Sequence, residues 1–267
     1  MNFEEYKSIR SINATAIKAG ATSMLHMREV MEGAGKEPTD AMIMGSLVHA
    51  AVLEGRMPTR IWDGRKAGKA FDAFEAECQG EVIVTPKEVA LLESICKAVQ
   101  AKPEAMHLIN NTMHELSLEW RDVEYGTAKA RLDGWEIGAG MVEFKTCKRI
   151  NPRAFVSQAI ALGYDLQLGW YVEGLAKTKL NGMTPEVHII AAETEKPFDV
   201  AVWRVPQAML NIGRKKAKEI AVRYWECCHL GRYPGVCEGV EELVLPEWYY
   251  GDELSDMAAG SFESAFE

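Results

Sequence analysis

Residues 114–147 read HELSLEWRDVEYGTAKARLDGWEIGAGMVEFKTC, and apolar and polar residues alternate in three runs: HELSLEWRDV (114–123), TAKARLDGWEI (127–137) and MVEFKTC (141–147). A period of two is that of a strand with one buried face. The stretches from Glu124 to Gly126 and from Gly138 to Gly140 supply turns, so the runs are expected to form a three-stranded antiparallel meander. Asp133 and Glu143 then fall on successive strands. Lys145 follows Glu143 by two and points to the same face.

Downstream of the meander, Asn151 and Pro152 cap and open a helix to about Ala161, and Gly163 starts a longer one through Leu180. Two further strands, EVHIIAAET and FDVAVWRV, precede a helix from Pro206 to about His229. Upstream the chain reads as helical. Asn13 caps a helix to about Glu32, and Asp40 precedes a second apolar stretch, AMIMGSLVHAAVLEG, that ends at Gly55. A basic loop spans Arg60 to Lys69, helical patterns cover 68–78 and 87–101, the latter entered through Thr85 and Pro86, and EVIVT between them is a short strand. The expected class is α/β, with a sheet of about five strands flanked by helices and a helical amino-terminal part. One domain is expected over residues 1–235, helical to about 110 and carrying the sheet from about 111, followed by an acidic tail at 236–267.

The chain has 267 residues, 48% of them apolar, which excludes a disordered chain. Thirty basic residues against 39 acidic ones give a net charge of −9, but nine of the acids and none of the bases lie after Arg232. The preceding part is neutral, so a nucleic-acid partner must be met by local basic clusters. No apolar run approaches the ~18 residues of a membrane span, and the amino terminus, MNFEEYKSIRS, lacks a signal-peptide pattern. A cytoplasmic protein without a membrane partner is expected. Six cysteines form no CxxC pair and read as idle or buried thiols; the spacing of Cys227, Cys228 and Cys237 does not fit an iron–sulfur cluster.

Two carboxylates and an amine converge at Asp133, Glu143 and Lys145. Paired carboxylates suit Mg²⁺ or Mn²⁺, and the lysine can hold a water or hydroxide for an in-line displacement at phosphorus. An acid-x-Lys triplet is common, and a structural ion pair in a hairpin accounts for it equally well. The apolar setting of Met141, Val142 and Phe144 argues for a buried acid in need of a partner. Glu119 on the preceding strand and His49 in the helix with Gly45 and Ala50 are candidates to complete the site. Gln167 and Tyr171, four apart, share a helix face.

The ordered set MGSLVHAAVLEG, SLEW, ARLDGW, MVEFKT, the NPRAF helix and GYDLQLGWYVEGL resembles the PD-(D/E)XK nuclease superfamily. The resemblance is to the RecE-type exodeoxyribonucleases of phage recombination and, more distantly, to lambda exonuclease, over about residues 10–235. It implies a restriction-endonuclease-like core with a mixed sheet. It implies that Asp133 and Glu143 bind the metal, with the Phe144 carbonyl and His49 as further ligands, and that Lys145 orients the attacking water. Glu119 matches the acid ahead of the motif aspartate. Gln167 and Tyr171 match a QxxxY motif that positions the substrate and the lysine, and Ser46 lies in a GSxxH stretch that faces the cut strand.

The implied activity is Mg²⁺-dependent digestion of linear duplex DNA from the 5′ end, in a ring of three or four subunits, leaving a 3′ overhang for a single-strand annealing protein. Another DNA nuclease of the superfamily and a non-catalytic DNA-binding module are the alternatives. Candidate DNA contacts are Lys148, Arg149 and Arg153 after the motif, Lys129 and Arg131 beside the aspartate, Arg65, Lys66 and Lys69 in the basic loop, and Arg214, Lys215, Lys216, Lys218 and Arg223 on the late helix. Trp62, Phe71 and Trp135 are candidates to stack on bases, although the core is the commoner home for such side chains.

Overall fold

The computed structural model describes residues 3–33, 38–136, 140–178 and 185–244. Among them the chain opens with helices α1 (Phe3–Ser8), α2 (Ala14–Gly20), α3 (Met24–Met31) and α4 (Asp40–Glu54). Strands β1 (Arg60–Ile61) and β2 (Ile83–Val84), with α5 (Lys69–Glu77) between them, pair in parallel as a small sheet of their own. Helices α6 (Pro86–Gln100) and α7 (Pro103–Asn110) lead into the meander of β3 (Met113–Asp122), β4 (Gly126–Glu136) and β5 (Gly140–Cys147). Then come α8 (Pro152–Ala161), α9 (Tyr164–Lys177), β6 (Glu186–Glu193), β7 (Val200–Arg204) and α10 (Gln207–Leu230).

The main sheet has the order β3-β4-β5-β6-β7. Every pair is antiparallel except β5 with β6. A parallel pair needs a crossover, and α8 and α9 provide it. Side chains alternate between two cores, as the strand period requires. On β6, Val187, Ile189 and Ala191 join the core built with α2, α3, α9 and α10, whereas Ile190 and Ala192 join the one built with α4, α6 and α7. A sheet covered on both faces explains why residues 189–192 of this strand are apolar without alternation.

The meander, the later strands and the α8 cap at Asn151 fall where the sequence puts them. Two local expectations are corrected, the single early helix and the basic loop, and two further features go unread. The single helix expected from Asn13 to Glu32 is two, because Ser23 is a second N-cap whose hydroxyl accepts the His26 amide at 3.2 Å. The cap of α4 is Thr39, accepting from Met42 at 3.3 Å, and Asp40 is its first-turn acid. The basic loop contains β1, whose two exposed residues are too few to show a period. Helix α7, begun by Pro103, is not among the expected elements. The residues expected at Ile137 and at Lys179 and Leu180 lie outside the described ones.

The chain divides into two compact units, Met1–Tyr233 and Pro234–Glu267. In the second, residues 234–244 carry neither helix nor strand, and most of the acidic tail lies outside the described residues. The six cysteines are free thiols. No helix among the described residues is long and apolar enough to cross a membrane.

Candidate active site

The β4–β5 ladder runs through Glu136↔Gly140, Trp135↔Met141 and Gly134↔Val142 and stops there. The next two positions in register are Asp133 and Glu143. In place of a ladder bond, Asp133 Oδ2 accepts the Phe144 N–H at 2.8 Å. The sheet therefore forks at the two carboxylates.

On the other side of β4, the pairs His114↔Gly134 and Leu116↔Leu132 leave Glu115 opposite Asp133. Glu115 has φ 58°, a left-handed conformation that costs a non-glycine residue about 1–3 kcal/mol. Its carboxylate is held from two sides, by an ion pair with Arg131 and by His49 Nδ1 at 3.1 Å. The His49 Nε2 lies 2.9 Å from Asp133 Oδ1. Helix α4 delivers this imidazole by burying Val48 and Leu53 in the core that also holds Phe144, whose ring meets His49 edge-on at 6.3 Å.

His49, Glu115 and Asp133 each offer a ligand atom, all within 4.8 Å of one another, and can hold a divalent metal ion. Burial opposes charge on His49, but hydrogen bonds and attraction from Asp133 and Glu115 outweigh it and hold its pKa up at about 10, so a bound ion would have to displace its proton. Burial likewise works to raise the Glu115 pKa, and the hydrogen bonds from His49 and Arg131 bring it below the usual range.

Glu143, only 1% exposed, faces α9. Its Oε1 accepts from Lys145 Nζ and, at 2.6 Å, from Gln167 Nε2, which also meets Tyr171 OH at 2.9 Å. Close helix packing fixes this arrangement: Gly169 of α9 lies on the α10 backbone at Gly213 and Arg214, where a Cβ would clash. Burial and the Asp133 charge push the Glu143 pKa to about 7, against the pull of Lys145. On Lys145 burial acts downward, and the attraction of Glu143 and Asp133 overcomes it, so the ammonium stays charged.

Glu143 Oε2 is buried and has no hydrogen-bond partner among the described residues. A buried carboxylate oxygen without a donor fits a cation-binding role, and the adjoining imidazole and two carboxylates of His49, Glu115 and Asp133 suit a divalent ion such as Mg²⁺ or Mn²⁺.

The structure thus gathers His49, Asp133, Glu143, Lys145, Gln167 and Tyr171. It does not bring Glu119 to them: that residue is exposed and pairs in register with Lys129, about 13 Å along the strand from Glu115. The acid next to Asp133 is Glu115. Counting back from the hairpin pair Asp122↔Gly126 reaches it, so turn position is the signal that separates the two glutamates.

Phe144 meets the cluster through its N–H. Ser46, one turn before His49, is exposed and donates to Met42 O at 3.0 Å. Arg131 is committed to Glu115 and to Ser117 Oγ at 3.1 Å, which makes it a holder of the site rather than a free phosphate contact.

Lys129 is buried and donates to the carbonyls of Tyr6 at 2.6 Å and Ile9 at 2.7 Å, anchoring α1. Lys66 donates to Ile83 O at 2.8 Å and faces Glu88 at 3.3 Å. Arg65, Lys148 and Arg149 are exposed. On α10, Arg214 pairs with Glu173, Lys215 with Glu219, Lys216 with Asp165 and Lys218 with Glu124, so that run is spent largely inside the molecule. Trp62 packs on Phe71 and Phe74, and Trp135 is buried.

A forked mixed sheet with two carboxylates at the fork and a lysine two residues on defines a domain of the PD-(D/E)XK nuclease type. The chain belongs to the PDDEXK-like domain of unknown function DUF3799, whose model matches residues 8–245. An exonuclease candidate from Eubacterium rectale shares the fold, with a TM-score of 0.65 at 15% identity over 97% of this chain and 98% of that one. Looser matches are LHK-Exo in complex with dAMP, at TM-score 0.33 and 11% identity over 83% and 91% of the two chains, and a phage-related exonuclease from Haemophilus somnus 129PT, at 0.36 and 9% over 83% and 96%. No protein of curated function matches the sequence.

Proposed function

We propose that the protein is a Mg²⁺- or Mn²⁺-dependent exodeoxyribonuclease that digests linear duplex DNA from the 5′ end and leaves a 3′ overhang. The observation that carries the reading is the joining of the Glu143–Lys145–Gln167–Tyr171 network to the His49–Glu115–Asp133 cluster at one fork of the sheet. Polarity and a role in phage-type recombination are supported by the motif order that resembles RecE-type enzymes.

The reaction is hydrolysis of a phosphodiester: a water oxygen bonds to phosphorus as the strand oxygen opposite it leaves and takes up a proton. Asp133, Glu143, His49 and Glu115, with the Phe144 carbonyl, would hold the divalent cation, which supplies positive charge at the phosphate oxygens. Lys145, kept charged and aimed by Glu143, orients the attacking water. Gln167 fixes both by donating to Glu143 while its other end faces the lysine, and Tyr171 in turn fixes Gln167. Ser46, Arg65, Lys148 and Arg149 contact the DNA backbone. A ring of three or four subunits in the bacterial cytosol, working with a single-strand annealing protein, completes the reading.

The test is a time course on 5′-labelled and 3′-labelled linear duplex beside a covalently closed circle, in Mg²⁺ and in EDTA. Early release of the 5′ label with the circle intact, abolished by EDTA, is expected. A cut circle identifies an endonuclease instead, and tight binding without cleavage a binding module. Light scattering of the eluted protein reads the subunit number.

A further inference from the structure

Lys18, on α2, reaches the same network. Its Nζ lies 3.4 Å from Gln167 Oε1, and Lys145 Nζ lies 3.4 Å from that same oxygen. The amide cannot be turned over to change this, because its Nε2 is committed to Glu143 and Tyr171. Two ammonium groups therefore converge on one neutral oxygen and stand no more than 6.8 Å apart by those two contacts. Lys145 has Glu143 against it; among the described residues no carboxylate forms an ion pair with Lys18.

The approach of Lys18 is built rather than incidental. Its stem lies on Gly163, the left-handed cap of α9, where a Cβ would come within 3.1 Å of both Cγ and Cδ. A side chain at 163 would force that stem to shift by a few tenths of an ångström. Lys18 also borders a cavity of about 600 Å³ that Thr22, Leu162, Lys216 and Arg223 help to line. Burial, and after it the charge of Lys145, lowers the Lys18 pKa against the attraction of Glu143. A half-buried cation placed against a second cation at a carboxylate site is costly unless an anion joins them.

We infer that Lys18 is a substrate-contacting cation of the site, binding a phosphate oxygen of the strand being cut, beside the water that Lys145 orients. This rests on the nuclease reading above. Lys145 acts on the reacting water, and Lys18 acts on the anion, which accounts for two lysines on one amide oxygen.

The experiment uses the full chain with Lys18→Met, which keeps the stem on Gly163, and Lys18→Arg, which keeps the charge. Steady-state cleavage of linear duplex in Mg²⁺ is measured, with DNA affinity against salt in EDTA. Lys18→Met is expected to raise KM about tenfold with a smaller fall in kcat and to lower the salt slope of binding by about one, the signature of one lost phosphate contact. Lys18→Arg is expected to recover most of the affinity, and neither variant is expected to lower the melting temperature. Parent values of KM, kcat and salt slope in Lys18→Met, with a parent enzyme that cuts DNA, would overturn this inference alone. So would a loss in Lys18→Met matched by an equal fall in melting temperature, which assigns a structural role. A parent that neither binds nor cuts DNA overturns it together with the nuclease reading.

Discussion

Glu115 stands opposite Asp133 across the β3–β4 ladder, in a left-handed backbone conformation that no neighbour in the strand shares. The strain is sustained by the ion pair to Arg131 and the contact to His49, both of which need the carboxylate where it is. Glu115→Gln is therefore expected to cut metal-dependent cleavage by about 10²-fold or more, whereas Glu119→Gln stays within about twofold of the parent. Paired rate measurements on linear duplex over a Mg²⁺ titration check this. Equal losses in the two variants would remove Glu115 from the site.

Lys145 donates to Glu143 and supports neither Asp133 nor Glu115 directly. Lys145→Ala is expected to lower the cleavage rate about 10²–10⁴-fold while DNA binding and melting temperature hold. Single-turnover cleavage with a parallel binding isotherm reads both quantities. A rate near that of the parent would end the assignment of water orientation to this residue.

Much of this architecture was legible because strand periodicity and turn chemistry are local. The meander, the α8 cap at Asn151 and the Gln167–Tyr171 spacing all follow from neighbours within four residues. What was not legible depends on register and on contacts distant in sequence. Glu115 and Glu119 have the same parity on one strand, and only the count from the hairpin separates them. Lys18 looks like any cation on a short helix until Gly163, 145 positions away, turns its stem inward. The basic run of α10 looked free in sequence because Glu173, Asp165 and Glu124, which take up Arg214, Lys216 and Lys218, come from α9 and from the β3–β4 turn.

Asp122 ends β3, is 6% exposed, and faces Lys177 of α9 at 2.6 Å while accepting the Glu124 amide at 2.8 Å. Burial acts to raise its pKa, and Lys177 together with that amide holds it below the usual carboxylate value. A depressed carboxylate contributes stability that is present above its unfolded pKa and is lost as pH falls through the folded value. Asp122→Asn is expected to cost about 1 kcal/mol at pH 7 and nothing once the solution is more acidic than both values. Urea melts of parent and variant at pH 7 and at pH 2–3 test this; a gap that persists undiminished in acid would show that packing, not charge, is lost.

Glu143 offers a buried oxygen, Oε2, without a partner among the described residues, while Oε1 is taken by Lys145 and Gln167. A ligand that binds the folded state alone stabilises it by about 2.7 kcal/mol at one hundred times its Kd, and in a chain of this size each kcal/mol moves the melting temperature by about 2–4 °C. Mg²⁺ at saturating concentration is therefore expected to raise the parent's melting temperature by roughly 5–10 °C, reversibly with EDTA. In Glu143→Gln the amide oxygen still accepts from Gln167 and Lys145, so the fold is kept, but the negative charge at the fork is gone. Most of the Mg²⁺ shift should vanish in this variant, together with cleavage. A Mg²⁺ shift of full size in Glu143→Gln would mean that the ion sits on His49, Glu115 and Asp133 alone, and Glu143 would then serve Lys145 and not the metal.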